Sequence, residues 1–393
     1  YKKGSLTIFD NPKVKAGHYK PSWKTLSLDI ETGMDGSLYS VGLSLAKSED
    51  IIAEKVFMLS HEDRIEDELL EYSSSEKTLL IKTVEAIKTW DPDLILGWHV
   101  VGFDLRFLAD KASKFGVELR LGRDGSLLEL QEKGPLTYAT IRGREVLDGP
   151  PLLRANFFSF SNMKLDTVAH EVLGSGKDIN ESGADKVKEI ERRFREDKKS
   201  LAFYNIEDCR LVHKVFLKLN IYDLLYTRCS LSGMSIDKVG YSTGAFDHFY
   251  LPRLHRKGLV APNITDMARD EHVAGGMVIE PKVGLHNNVA VFDFKSLYPS
   301  IIRTFFIDPY SRIMASKDPQ PNPADLIFSK TEHILPGYLE ELGKKRSNAK
   351  KNGNQPLSQA IKILMNSFYG VMGSPKSRFY HSDLPTAITS SGH

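Results

Sequence analysis

Leu26-Ser27-Leu28-Asp29-Ile30-Glu31 alternates apolar and polar residues without a break, and the reading of the fold starts there. Successive side chains of a strand point to opposite faces, so Leu26, Leu28 and Ile30 share one face and Ser27, Asp29 and Glu31 the other. Tyr39-Ser40-Val41-Gly42-Leu43-Ser44-Leu45 follows a turn containing Met34-Asp35-Gly36-Ser37, which predicts a hairpin. Residues 76–90 carry apolar side chains at 79, 80, 84, 87 and 90, a helical stripe that stops at Asp91-Pro92. The short apolar strand Leu94-Ile95-Leu96-Gly97 comes next, and residues 103–115 and 201–219 are again helical. Strands interspersed with helices predict an α/β domain with a mixed sheet over residues 20–225.

Residues 178–199 are dense in charges of both signs and predict an exposed helix or an insertion, with no chemistry assigned. Helical stretches lie between 226 and 285, ending in a connector with Ala274-Gly275-Gly276 and Pro281-Lys282-Val283-Gly284. Val289-Ala290-Val291-Phe292 predicts a buried strand that delivers Asp293, and residues 317–330 predict a loop. Residues 332–351 and 356–369 predict two antiparallel helices joined by Asn352-Gly353-Asn354-Gln355.

With 393 residues and 41% hydrophobic content, the chain can fill two or three ordinary cores. It has no run of about 18 apolar residues, which excludes a helical membrane span. The polar start carries no secretory signal. Cys209 and Cys229 form no Cys-x-x-Cys pair, as expected of a reduced, cytoplasmic protein. A net charge of +2 does not announce nucleic acid, but Lys344, Lys345, Arg346, Lys350 and Lys351 fall within eight positions. Such a cluster is either a solvated helix face or a phosphate site. The sequence starts at Tyr1 rather than Met and stops inside a predicted helix, so a piece of a longer protein is expected.

Asp29 and Glu31 project together, and two acids so close resist joint ionisation unless a cation neutralises them. The alternative is an exposed polar strand face. Asp104 closes Gly97-Trp98-His99-Val100-Val101-Gly102-Phe103-Asp104 and opens a helix, either as a cap or as a third site acid. Tyr204 and Asp208 are four apart on one helix face beside Leu211, Val212 and Val215. A half-buried acid there needs a partner, either the tyrosine itself or a metal with an intervening water.

Together, Asp-x-Glu, Phe-Asp and Tyr-x-x-x-Asp in this order resemble the three motifs of the DEDDy 3′→5′ exonucleases. These have a ribonuclease-H-like fold and serve as proofreading domains of DNA polymerases. The resemblance implies that Asp29, Glu31 and Asp208 hold two Mg²⁺ or Mn²⁺ ions, with Asp104 supporting the second largely through water. It implies that Tyr204 orients the attacking water and that residues at positions 99 and 103 hold the DNA 3′ end. His99 stands where that group usually has Asn, a departure that bears on substrate positioning; Phe103 matches.

Asp293-Phe294-Lys295-Ser296-Leu297-Tyr298-Pro299-Ser300 and Lys362-Ile363-Leu364-Met365-Asn366-Ser367-Phe368-Tyr369-Gly370 resemble the first two polymerase motifs of family B DNA polymerases. By itself Asp293 reads as a turn former. The resemblance implies that Asp293 and the Phe294 carbonyl bind the catalytic metals, again two ions. Ser296, Leu297 and Tyr298 would surround the nucleotide, with Tyr298 gating against a ribose. On the second predicted helix Lys362, Asn366 and Tyr369 form one stripe, while Leu357, Ile361, Leu364 and Phe368 form a core stripe. Arg346 and Lys350 face them, and the resemblance makes Arg346, Lys350, Lys362, Asn366 and Tyr369 nucleotide contacts.

Residues 296–304, 353–360, 97–101 and 121–124 are closest to bacterial members of that family. A departure is Val273, where many members carry Tyr before x-Gly-Gly. The organisation expected is an N-terminal remnant (1–20), a DEDDy exonuclease domain (21–225), a connector and partial palm (226–315), helical-hairpin fingers (316–373) and a palm segment (374–393). The motif with the second polymerase aspartate does not occur before His393, so exonuclease activity alone is expected of this sequence. Expected partners are a DNA primer-template, a single-stranded 3′ end, dNTPs, and a sliding clamp reached through a terminus outside the sequence. The work implied is DNA replication and repair. The alternatives are a stand-alone metal-dependent exonuclease and a metal-independent nucleic-acid-binding module.

Overall fold

The computed structural model of the chain describes all residues except 1, 4, 5, 14, 16, 18, 62–66, 135, 175–183 and 267–278. Two-residue strands β1 (Lys2–Lys3) and β2 (Leu6–Thr7) pair antiparallel ahead of the main sheet. That sheet holds β3 (Lys24–Thr32), β4 (Leu38–Lys47), β5 (Asp50–Leu59), β6 (Leu70–Ser73), β7 (Leu94–Gly97) and, beyond a small hairpin of β8 (Glu129–Lys133) and β9 (Leu136–Thr140), β10 (Glu145–Asp148). Its order is β10-β7-β3-β4-β5-β6. β3, β4 and β5 run antiparallel in sequence, whereas β3–β7, β7–β10 and β5–β6 are parallel. The α/β class with a mixed sheet is as the sequence predicts.

Both faces of β3 are covered, which explains why Ser27 and Glu31 are buried and Asp29 half-buried although they are polar. Leu26, Leu28 and Ile30, all 5% exposed or less, pack with Leu79, Leu80, Val84 and Ile87 of α1 (Glu76–Trp90) and Leu105 and Leu108 of α2 (Asp104–Phe115). Each such side chain contributes roughly 1.5–3 kcal/mol by leaving water. The opposite face, with Ser27, Asp29 and Glu31, lies under α6 (Lys198–Lys218). α1 begins at an N-cap serine, Ser75, whose side chain accepts the Thr78 N–H, and ends where Asp91 turns left-handed.

Helices α3 (Gly149–Ala155), α4 (Leu165–Leu173) and α5 (Ala184–Glu196) lead into α6. Of the two readings of the charge-dense stretch, an exposed helix or an insertion, its described residues from 184 on take the helical one, but not as a merely exposed helix. Ile190 of α5 is buried, and Phe194 stacks on Tyr39 of β4 at 3.6 Å and 5°. The signal is the spacing of its three large apolar residues, Val187, Ile190 and Phe194, which share one helix face.

α7 (Ile221–Ser232) and α8 (Ser242–Arg256) lead into a second core. This one runs from Ala245 to Ile388 and gathers Phe246, Phe249, Tyr250, Phe328, Leu335 and Phe368. It is built by α9 (Leu297–Thr304), α10 (Pro309–Ile313), α11 (Leu335–Lys351), α12 (Gln355–Met372) and α13 (Asp383–Ser390). The helical hairpin forms as predicted, with α11 starting a few residues later. The predicted loop at 317–330 contains a short hairpin of β11 (Pro319–Pro321) and β12 (Ile327–Ser329).

The predicted buried strand at 289–292 is a correction. Those residues are coil, with Val289, Val291 and Phe292 exposed at 68%, 89% and 92%. An extended apolar segment becomes a strand only when neighbours satisfy its backbone groups. Among the described residues no strand lies beside it. Val273 and the Ala274-Gly275-Gly276 connector lie outside the described residues. Among the described residues no helix is long and apolar enough to cross a membrane.

Candidate active site

β7 pairs with β3 only at Thr25, Leu26 and Ser27, so the two strands part just before Asp29. The loop after β7 then brings the start of α2 to the freed strand edge. There Asp104 Oδ1 accepts the Ile30 backbone N–H at 3.1 Å. Asp104 is the first residue of α2, 2% exposed, and this bond joins helix to strand. α6 lies across the same strand and supplies Asp208. Asp29, Glu31 and Asp208 converge, each offering a carboxylate oxygen within 4.8 Å of the others. Glu31 and Asp208 are buried, at 6% and 3% exposure.

Three convergent carboxylates and no thiolate or imidazole form a donor set for a hard divalent cation such as Mg²⁺ or Mn²⁺, which fits the metals expected. Asp104 stands beside the trio. Burial, and then the neighbouring charge of Asp29, push its carboxyl well above the usual carboxylate range. Tyr204 is 2% exposed one turn before Asp208. Burial and the charges of Asp208, Glu31 and Asp29 push its phenol far above the ordinary tyrosine value, so it stays a hydrogen-bond donor at neutral pH. Lys186 Nζ from α5 sits 5.5 Å from the centre of the Tyr204 ring.

His99 and Phe103 flank this cluster on the loop before α2, both exposed, Phe103 at 50%. His99 takes φ +67°, the left-handed region in which Asn and His are enriched. Asp148 holds that conformation: its Oδ1 accepts the His99 N–H at 2.8 Å and its Oδ2 the Val101 N–H at 3.3 Å. Sequence reasoning missed Asp148, which precedes Gly-Pro-Pro and reads as an ordinary turn residue. It also missed Asn205, whose Nδ2 donates to Asp29 Oδ2 at 2.7 Å. The available signal was an amide on the buried stripe of a long helix.

The polymerase-like residues are brought together in part. Ser296 turns left-handed at φ +55° and starts α9, and Arg346 Nη1 of α11 donates to its Oγ at 3.3 Å. Arg346 Nε is buried and meets no described acceptor. Ser296, Arg346 and Lys350 line a cleft of about 610 Å³ together with Lys295, Arg303 and Lys344. Tyr298 and Tyr369 meet with ring centres 4.3 Å apart, beside the half-buried Leu297. Lys362 and Asn366 are exposed on α12, as their stripe predicts, but are not among the residues lining that cleft. Asp293 and Phe294 lie on the exposed coil, and among the described residues Asp293 joins no acid cluster, because the strand expected to carry them has not formed.

Comparison with known proteins follows this division. The model of the exonuclease domain of DNA polymerase family B matches residues 7–168, and that of DNA polymerase family B matches residues 246–393. DNA polymerase II of Escherichia coli is 43% identical over 95% of this chain and 48% of its own length. The DNA polymerase of Thermococcus gorgonarius is 28% identical over 94% of this chain and 49% of its own. The chain thus spans about half the length of these curated relatives. A structure of the family B DNA polymerase of Pyrobaculum calidifontis has the same fold, with a TM-score of 0.73 over 95% of this chain and 50% of that one, at 24% identity. With matched exonuclease and polymerase segments in this order, the chain belongs to DNA polymerase family B.

Proposed function

We propose that this chain carries out metal-dependent 3′→5′ removal of nucleotides from DNA. In the whole protein it would proofread for a DNA-directed DNA polymerase that adds dNTPs to a primer 3′ end. The observation that carries this reading is the convergence of Asp29, Glu31 and Asp208 within 4.8 Å, on a strand and a helix that share one buried face. Those three side chains would hold two divalent ions, and Asp104 would support one of them. When bound, such ions polarise the scissile phosphate, activate water and stabilise the leaving 3′ oxygen.

The chain's own residues supply the rest. Tyr204 keeps its proton and orients the attacking water by donating or accepting a hydrogen bond. Phe103 offers an exposed ring on which a terminal base can stack, worth roughly 1–3 kcal/mol. His99 projects from a fixed turn and offers a ring N–H to the 3′ end. In the polymerase-like part, Arg346 and Lys350 of the cleft would take the triphosphate, with Lys362 and Asn366. Tyr298 on Tyr369 would form the floor under the sugar, and Asp293 and Phe294 the metal-binding edge. The five-part organisation given above, from remnant to palm segment, is part of the same proposal.

The deciding experiment is degradation of a 5′-labelled single strand and of a 3′-mismatched primer, in Mg²⁺ and in EDTA, beside Asp29→Ala. Metal-dependent shortening from the 3′ end that disappears in the variant supports the reading. Full activity in Asp29→Ala refutes the metal assignment.

A further inference from the structure

We propose that Asn205 is a positioning residue that fixes the Asp29 carboxylate for the metal site; the inference rests on the nuclease reading. Asn205 is 0% exposed on α6, between Tyr204 and Asp208. Its Nδ2 donates to Asp29 Oδ2 at 2.7 Å, and its Oδ1 accepts from Ser40 Oγ at 3.0 Å. An ionised carboxylate can only accept, so the amide nitrogen must face Asp29. The amide oxygen then faces Ser40, whose hydroxyl must donate. One orientation of the amide satisfies both neighbours.

The fold makes room for this contact. Asp29 pairs across the sheet with Gly42. A Cβ on Gly42 would lie 2.9 Å from Asn205 Cγ and Oδ1, so the missing side chain is what admits the amide. The Gly42 carbonyl also accepts Cys209 Sγ at 3.4 Å, which seats α6 on the same strand position. Asn205 therefore registers the helix that carries Asp208 against the strand that carries Asp29 and Glu31. By holding one oxygen of Asp29, it fixes the plane in which the other oxygen is offered.

The test is Mn²⁺ binding to the whole chain without DNA, by calorimetry, for wild type, Asn205→Leu and Ser40→Ala, with cleavage rates titrated over Mg²⁺. Removing a hydrogen-bond partner of a metal ligand typically lowers metal affinity about 10–100-fold. Asn205→Leu is expected to weaken Mn²⁺ binding by about tenfold or more and to shift the Mg²⁺ dependence of cleavage in parallel, with most of the rate recovered at saturating metal. Ser40→Ala, which only frees the amide to rotate, shifts both in the same direction by less. Unchanged Mn²⁺ affinity in a folded Asn205→Leu chain, even with a lowered melting temperature, overturns the proposal. If that variant does not fold, unchanged affinity in Ser40→Ala does the same. A wild-type chain that neither binds Mn²⁺ nor cleaves would instead sink the nuclease reading beneath it, which the wild-type arm reads separately.

Discussion

Asp208→Asn should raise the stability of the metal-free protein while abolishing the nuclease activity proposed for it. Asp29, Glu31 and Asp208 present oxygens within 4.8 Å of one another, and two of the three are nearly enclosed. At that distance and an effective dielectric near 20, each fully charged pair repels by about 3 kcal/mol. Protonation relieves part of this in the absence of cations, so a neutral amide of the same size should gain about 1–3 kcal/mol. For a cooperative unit of about 200 residues, that corresponds to a rise of very roughly 2–12 °C in melting temperature. Saturating metal reverses the order. A cation at about 100 times its dissociation constant stabilises wild type by about 2.7 kcal/mol, and it stabilises much less a variant that has lost a ligand. Calorimetric melts of both proteins at pH 7, in EDTA and in Mn²⁺, read all four values. Two results would refute the reasoning: Asp208→Asn melting below wild type in EDTA, or Mn²⁺ raising both proteins equally.

Tyr204→Phe should slow cleavage by on the order of 10²-fold, as expected for a misplaced reactant, while Mn²⁺ binding stays unchanged; an unaltered rate would assign Tyr204 to packing alone. Arg346→Ala should weaken binding of a fluorescent dNTP by about tenfold or more, the effect of losing a charged hydrogen-bond donor, and unchanged affinity would place the triphosphate elsewhere. Asp308 sits wholly buried at the start of α10, accepting Tyr250 Oη at 2.5 Å and the Ile334 N–H at 2.8 Å. Burial pushes its carboxyl up to about 6. Because the folded value exceeds the unfolded one, the folded state binds the extra proton, so this group's stabilisation is complete below about pH 4 and lost as pH rises through 6. The shift corresponds to about 3 kcal/mol. The stability difference between wild type and Asp308→Asn, from denaturant melts at pH 4 and pH 7, should change by about that amount, and a constant difference would show that Asp308 does not titrate in this range.

How much of this was legible in the sequence depended on whether a segment's partners are local. β3, α1 and α6 could be read because period-two and period-3.6 patterns are properties of single segments. The order of the acids could be read for the same reason, since strand alternation and helix spacing fix which of them share a face. Asn205 and Asp148 could not, because their meaning lies in contacts 176 and 49 residues away. A buried amide in a helix and an aspartate before Gly-Pro-Pro each have ordinary local explanations. Segment 289–292 shows the reverse failure. Its apolar run satisfies the local pattern of a strand, but a strand exists only as a pair, and pairing is not encoded in the segment. Asp29, Glu31 and Asp208 sit on elements that complete each other within residues 24–218 of the described structure, and they converge. Asp293 depends on a strand that no described neighbour pairs, and it stays exposed although its whole octapeptide matches the motif. Motif strength and site assembly are therefore separate matters: a motif says which chemistry a residue serves, and only its sheet or helix partners bring the residue to the place where that chemistry occurs.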